Sequence, residues 1–254
     1  MIMNYMIKIN VVKTTNEETK VKAFANVVFG NSFKVTNISI IENSKNGELF
    51  VSMPRYRSSE LGEDGQPVYK DVCNPITKEF REELYTNILA TYEKAVNEHV
   101  AVMTVGEKEK DKVAEPKHSV RMHPLDKEGS NVKAVGQIYI EDSFIINNIN
   151  VIEGKKGLFV TMPSYKTKKV DEEGKAIYQD ICYPVTKDFR DKLFASILDG
   201  YAAERDKAVI EPEKNQETEL PFKGKEESKE ETKDEDDPDK TQEQKAPAKK
   251  SKKK

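Results

Sequence analysis

The sequence of 254 residues contains no tryptophan and only two cysteines. Two thiols in a chain of this length cannot form a disulfide framework, which favours a protein of the reducing cytoplasm. A basic and apolar leader is lacking, and so is any apolar run of about 20 residues. We therefore expect neither a signal peptide nor a contact with a membrane.

The sequence also lacks a large excess of positive or negative charge, since its formal net charge is only -3. The chain has no general attraction for nucleic acid, and any surface that binds anions must be local. Hydrophobic residues make up 36% of the sequence and charged residues 34%. This balance is too polar for one large core and predicts small domains with solvated segments between them.

The usual signatures of catalysis and metal binding are missing as well. There is no glycine-rich phosphate loop, no G-x-S-x-G and no paired-cysteine zinc spacing. His118 and His123 have no Cys or acidic ligands at metal-like spacing. Asp71 and Asp180 recur in the chain without a partner acid or histidine, and the two cysteines recur without a histidine to activate them. We predict a protein that is not an enzyme, without cofactor, metal or small-molecule substrate.

What the sequence does contain is an internal duplication. Residues 49–92 align without a gap with residues 158–201, and about 20 of these about 44 positions are identical. Upstream, FKVTNISIIE at 33–42 matches FIINNINVIE at 144–153. We predict a first domain at 1–98, a linker at 99–116, a second domain at 117–208 and a tail at 209–254.

Each repeat has the pattern of an α+β domain. Short stretches of alternating apolar residues predict five antiparallel strands, and Gly30-Asn31 predicts a hairpin turn. Thr77 is a suitable N-cap for a C-terminal helix whose apolar stripe packs on one face of the sheet. The charged linker shows no apolar periodicity. The tail is too polar to fold and is predicted to be disordered; its lysine-rich end is either solubilising or a weak contact for nucleic acid.

A candidate binding surface follows the Met-Pro dipeptide of each repeat. A basic residue beside an exposed aromatic ring can contact a phosphate and stack on a base, but the same residues also suit an ordinary solvated loop. Each helix also has one arginine, one turn from its start, which either pairs with a nearby acid or faces a phosphate. The candidates are Arg55, Tyr56, Arg57 and Arg81 in the first repeat, and Tyr165, Lys166, Lys168, Lys169 and Arg190 in the second.

These motifs resemble the SpoVG family, small bacterial regulators associated with sporulation and septation. The family pattern G-L-F-V-x-M-P-S-[KR]-[KR] is matched by GELFVSMPRYR at 47–57 and GLFVTMPSYK at 157–166. The following segment, [YF]-x-D-[IV]-x-[HN]-P-I, is matched by YKDVCNPI. YQDICYPV in the second repeat departs from it in Tyr183, at the His or Asn position, and in its final valine. A helix carrying an arginine and ending in a tyrosine completes the resemblance, which covers both repeats.

The resemblance implies small β-rich proteins with one helix, which form homodimers and bind DNA and in some cases RNA. It implies that Arg57 and Lys166, at the second basic position of the family, are the best candidates for phosphate contacts. Arg81 and Arg190, at the arginine position of the family's helix, are the next best. This sequence departs from the pattern in having tyrosine at the first basic position in both repeats. The spacer that follows, SSELGEDGQ or TKKVDEEGK, is longer and more acidic than in short members.

Two hypotheses follow for the function. In the first, the linked repeats pair as an intramolecular pseudo-dimer that binds DNA or RNA and regulates gene expression, septation or sporulation. In the second, the chain is a protein-interaction or structural module without direct nucleic-acid binding. We also expect that copies of the protein can associate with one another through the edges of their sheets.

Overall fold

The computed structural model describes residues 3–13, 19–107 and 113–214, with side chains as far as Lys207. Each repeat contains seven strands followed by one helix, and one more strand follows the first helix. The first repeat comprises β1 (Tyr5–Val11), β2 (Val21–Phe29), β3 (Phe33–Glu42), β4 (Leu49–Ser52), β5 (Arg55–Leu61), β6 (Pro67–Asp71), β7 (Cys73–Pro75), α1 (Lys78–Asn97) and β8 (Val102–Val105). The second comprises β9 (His118–Pro124), β10 (Val132–Ile140), β11 (Phe144–Gly154), β12 (Gly157–Thr161), β13 (Ser164–Val170), β14 (Ala176–Asp180), β15 (Cys182–Pro184) and α2 (Lys187–Lys214).

Two antiparallel sheets form the body of the molecule. The first has the strand order β15-β3-β2-β1-β8, and β4 also pairs with β3. The second has the order β12-β11-β10-β9, and β7 also pairs with β11. The prediction of an α+β fold with antiparallel sheets and one helix per repeat is therefore confirmed.

The two repeats exchange one strand each. In β7 of the first repeat, Cys73 lies opposite Ile146 of the second repeat. In β15 of the second repeat, Cys182 lies opposite Val35 of the first. Backbone hydrogen bonds of 2.8 Å continue both pairings, from the Asn147 N–H to the carbonyl of residue 72 and from the Thr36 N–H to the carbonyl of residue 181. Each sheet is thus completed by the other repeat.

This exchange corrects the prediction that each repeat builds its own sheet from five strands. The stretch 67–76, predicted as one strand, is interrupted at Val72 and contributes β6 and β7 to different sheets. The stretch 55–61, predicted as a loop, forms β5. Pro75 and Pro184 are the last residues of the exchanged strands, and the residues after them, Ile76 and Val185, each donate one more backbone hydrogen bond of 2.8 Å to the other repeat.

Two of the predicted boundary segments also contain regular structure. The segment predicted as a linker, 99–116, includes β8, which pairs with β1 along its whole length. Helix α2 continues to Lys214, so the backbone of residues 209–214, predicted as tail, is helical. The remainder of the predicted tail, 215–254, lies outside the described residues.

One hydrophobic core extends through both repeats. Helix α1 packs on β1, β4 and β8, and α2 packs mainly on β9. Rings from different repeats meet at the core, since the ring centres of Phe29 and Phe144 are 5.1 Å apart and those of Phe33 and Phe189 are 6.3 Å apart. All four rings are buried, and the described residues of both repeats belong to one compact unit, Met1–Asn215.

Local sequence explains how the helices and the hairpin turn begin. Thr77 has extended backbone angles, and its hydroxyl accepts a hydrogen bond of 3.3 Å from the Phe80 N–H, as an N-cap does. Thr186 accepts the equivalent bond from Phe189. Gly30 and Asn31 both have positive φ, and the Ser32 N–H donates to the Phe29 carbonyl at 2.9 Å, which closes the hairpin turn between β2 and β3. These local predictions are confirmed. Within the described part of the chain, no helix is both long and apolar enough to span a bilayer.

Because the core is shared, we expect the two repeats to unfold together. Leu84 of α1 and Leu193 of α2 occupy equivalent positions and are fully buried. Leu84→Ala and Leu193→Ala should each lower the free energy of unfolding by about 2–5 kcal/mol, the cost of such cavities. Each variant should shift one single transition in urea, measured by circular dichroism. Two transitions, of which each variant moves only one, would contradict the shared core.

We also expect both thiols to be unreactive in the folded protein. Cys73 and Cys182 are free and have no exposed surface. Burial raises the pKa of the Cys182 thiol, and the neighbouring Cys73 thiol raises it further. Labelling with a disulfide reagent should therefore be slow without denaturant and fast in urea. Cys73→Ala and Cys182→Ala identify each thiol, and rapid labelling of either in the native protein would contradict its position.

Candidate nucleic-acid interface

Each repeat carries a two-stranded hairpin that belongs to neither main sheet. We call the hairpin β5–β6, residues 55–71, arm 1, and the hairpin β13–β14, residues 164–180, arm 2. Seven of the nine predicted site residues lie on these arms. An irregularity in the pairing interrupts both hairpins, between Arg57 and Leu61 in arm 1 and between Lys166 and Val170 in arm 2.

Arm 1 neutralises most of its own positive charge. The Arg55 Nε donates to the Asp71 Oδ1 across the hairpin at 2.8 Å. The Lys70 ammonium donates to the Glu60 Oε1 at 2.6 Å, and this hydrogen bond raises the pKa of Lys70. Arg57 is exposed and has no ion pair within the described residues. Of the predicted phosphate contacts in arm 1, Arg57 is therefore the one that is electrostatically available.

Arm 2 carries the same hairpin with different charges. Lys169 stands where arm 1 has Glu60, and Gln179 stands where arm 1 has Lys70. Gln179 instead accepts a hydrogen bond of 3.0 Å from the hydroxyl of Tyr165. Lys166, Lys168 and Lys169 are exposed and take part in no ion pair among the residues that the structure describes. Three cationic side chains of arm 2 are thus available to an anion.

A concave surface of about 740 Å³ gathers the predicted residues of arm 2. Strict alternation would divide Tyr165, Lys166, Lys168 and Lys169 between two faces of the strand. The pairing becomes irregular after Lys166, and all four residues line the same concavity. The structure therefore brings together four residues that the sequence placed only in one segment.

The second strand of each arm carries an exposed aromatic residue that is not among the predicted site residues. Tyr69 lies opposite Arg57, and Tyr178 lies opposite Lys166. These rings are 60% and 64% exposed, so each predicted phosphate contact has an open aromatic face beside it. The available signal was the identity of Tyr69 and Tyr178 in the two repeats, together with their position in an alternating strand.

The helix arginines have contacts within the protein. The Arg81 Nη2 donates to the Pro75 carbonyl at 3.1 Å and so ties the start of α1 to the exchanged strand β7. The Arg190 guanidinium lies 5.3 Å from the ring centre of Phe194. Burial raises the pKa of Asp180, at the end of arm 2, and the charge of Arg190 partly offsets this effect. Arg190 is therefore an electrostatic neighbour of arm 2, whereas Arg81 holds the exchanged strand.

The bases of the two arms lie close to each other. A cleft of about 410 Å³ is lined by Arg55 of arm 1 and by Tyr165 of arm 2. Tyr165 also lines the concave surface of arm 2, so the two hollows adjoin. Within the described ranges, no group of three or more His, Cys, Asp or Glu side chains could hold a metal ion.

Comparison with known proteins gives matches of the length of one repeat. A family model described as SpoVG matches residues 3–94 and again residues 117–203. A protein of Lachnospira eligens is 44% identical over 82 residues, which are 85% of that protein and 32% of this chain. A protein of Thermoanaerobacter sp. is 37% identical over 94 residues, 95% of its length and 37% of this chain. Both relatives are named "Putative septation protein SpoVG". The chain therefore belongs to the SpoVG family, of which it carries two domains in tandem.

Proposed function

We propose that this protein is a nucleic-acid-binding regulator, and that arm 2 makes the main contacts with phosphate. The observation that carries the proposal is the concave surface where Tyr165, Lys166, Lys168 and Lys169 meet without ion pairs. The arm contains one ion pair, between Lys175 and Glu173 at its turn, away from these residues in sequence.

The chemistry of this surface suits a nucleic-acid strand. Ammonium groups supply the sequence-independent attraction to the phosphate backbone. The open rings of Tyr178 and Tyr165 can stack on bases, which every base permits because each has a π-face. Arm 1 contributes Arg57 and Tyr69 in the equivalent arrangement, with less free charge. We therefore assign arm 1 the weaker part of the contact.

The family relationship supports a regulatory rather than a catalytic role. The names of the relatives associate them with septation. For this chain we propose a regulator of septation or gene expression that acts by occupying nucleic acid, with the two repeats as one intramolecular pseudo-dimer. The exchanged strands supply the pairing that this arrangement needs.

The proposal predicts that removing the arm 2 lysines weakens binding and its dependence on salt. The variant Lys166→Ala/Lys168→Ala/Lys169→Ala should bind labelled DNA and RNA pools less tightly than the wild type in fluorescence anisotropy at two salt concentrations. The slope of log K against log salt is negative and should become shallower by about 2 to 3 units, close to one unit per lost phosphate contact. Arg57→Ala/Lys166→Ala should weaken binding by a smaller amount.

A matched control removes the same charge elsewhere. The control residues are exposed and lie in turns outside the arms: Lys127, Lys155 and Lys156. Replacing all three by alanine should leave the slope nearly unchanged. Each variant is also measured with residues 216–254 deleted, because the lysine-rich end can bind nucleic acid nonspecifically. Equal losses in the arm 2 and control variants would overturn the assignment. The absence of salt-dependent binding to both pools would favour a protein-interaction module instead.

A further inference from the structure

A second cleft lies between arm 1 and the outer face of the other repeat's sheet. It has a volume of about 470 Å³ and is lined from arm 1 by Tyr56 and Lys70. From the second sheet it is lined by Gln137, Asn147 and Asn148 among others. We call it the amide cleft. Because its two walls come from different repeats, it exists only in the paired arrangement.

A β-bulge directs the amide side chains into this cleft. Gly136 pairs with Ile149 and Ile138 pairs with Ile146, so Asn147 and Asn148 both lie opposite Gln137. Asn148 has a φ of 61°, a left-handed conformation that asparagine tolerates better than most residues. Bulges of this kind are frequent beside binding sites because they redirect side chains. Here the bulge gathers three amides at one place.

Hydrogen bonds hold two of these amides in a defined orientation. The Tyr139 hydroxyl donates to the Gln137 Oε1 at 3.1 Å, and the Gln137 Nε2 donates to the Asn147 Oδ1 at 3.0 Å. The Asn147 Nδ2 in turn donates to the Asp71 carbonyl at 3.2 Å. Each amide has two N–H groups and two lone pairs on its oxygen, so both keep one donor and one acceptor for a ligand.

The cleft lined by Arg55 and Tyr165 contains only one amide, Asn37, which is the counterpart of Asn148. There the ring of Phe24 stands where the amide cleft has Val135, and Thr36 takes the position of Asn147. The Thr36 hydroxyl donates to the Ile181 carbonyl at 3.0 Å and has no amide to offer. Asn26, the counterpart of Gln137, does not line that cleft. The hydrogen-bonded amide pair of Gln137 and Asn147 is therefore a feature of one of these two clefts and not a requirement of the fold.

We propose that the amide cleft holds one unpaired base of a single-stranded nucleic acid. An amide with an adjacent donor and acceptor can bind a base edge with two hydrogen bonds, as Asn and Gln do with adenine. Tyr56 provides a ring for stacking, and His123 lines the cleft as a further polar side chain. This inference rests on the proposed function, and it adds base selectivity to a contact that arm 2 makes through phosphates.

The test compares an isosteric change in the cleft with the same kind of change at the equivalent site. Gln137→Met keeps size and charge but removes the donor and the acceptor, and Asn26→Leu is the matched control. Affinities for fluorescein-labelled single strands of about 16 nucleotides, each of deoxyadenylate, deoxycytidylate or deoxythymidylate, are measured by anisotropy with duplex DNA as competitor.

We expect the wild type to prefer one of the three strands. Gln137→Met should lose about fivefold to a hundredfold for that strand, the range for one bidentate contact with a base, and little for the others. Its salt dependence should stay unchanged because no charge is removed. Asn26→Leu should behave as the wild type, and Tyr56→Leu should weaken all three strands alike because stacking tolerates every base.

Several results would overturn the inference while leaving the proposed function intact. The wild type could bind all three strands with equal affinity, or an equal amount of duplex could displace the single strands from it. The variant Gln137→Met could also keep the preference of the wild type. A uniform loss for all strands with a lowered urea midpoint would assign Gln137 a structural role and also counts against it. If the wild type binds none of the nucleic acids, the proposed function fails, and the inference fails with it.

Discussion

The reciprocal exchange of β7 and β15 is the constraint on which the rest of the molecule depends. These strands are three residues long, yet each sits between an arm and a helix. Once β7 pairs with β11, arm 1 must lie beside the second repeat and α1 must return to the first. The same holds for β15 in the opposite sense. The shared core, the adjacent arm bases and the two composite clefts all follow from these short pairings.

Local features could be predicted from the sequence because their causes are local. The hairpin at Gly30-Asn31, the cap at Thr77 and the apolar stripe of each helix depend on residues a few positions apart. The exchange could not be predicted in this way. Alternation in 67–76 is the same whichever sheet the segment joins, and the partner of Cys73 is Ile146, far along the chain. Strand β8 was missed because Val102–Val105 adjoins a charged segment that suggested only a linker.

The candidate site was predictable as a set of residues but not as a surface. Basic and aromatic residues after the Met-Pro dipeptide identified both arms, and the family pattern singled out Arg57 and Lys166. Whether a lysine is available depends on its cross-strand and diagonal neighbours, as Lys70 and Glu60 show. The pairing of β5 with β6 determines those neighbours, and the sequence pattern after the Met-Pro dipeptide does not predict this pairing. The amides of the second cleft lie on another repeat altogether, and only the paired structure places them beside Tyr56.

Duplication within one chain changes what such a symmetric arrangement can do. In a homodimer every substitution appears at both equivalent positions, so one site cannot change without the other. Here Leu84 and Leu193, and likewise the two cysteines, are buried and identical, because both repeats contribute to the same core. Other positions differ: the exposed Glu60 corresponds to the exposed Lys169, and the half-buried Asn26 corresponds to the half-buried Gln137. The shared core therefore keeps the two repeats paired, while the arms and outer sheet faces can differ between them, which the two copies of a homodimer cannot do.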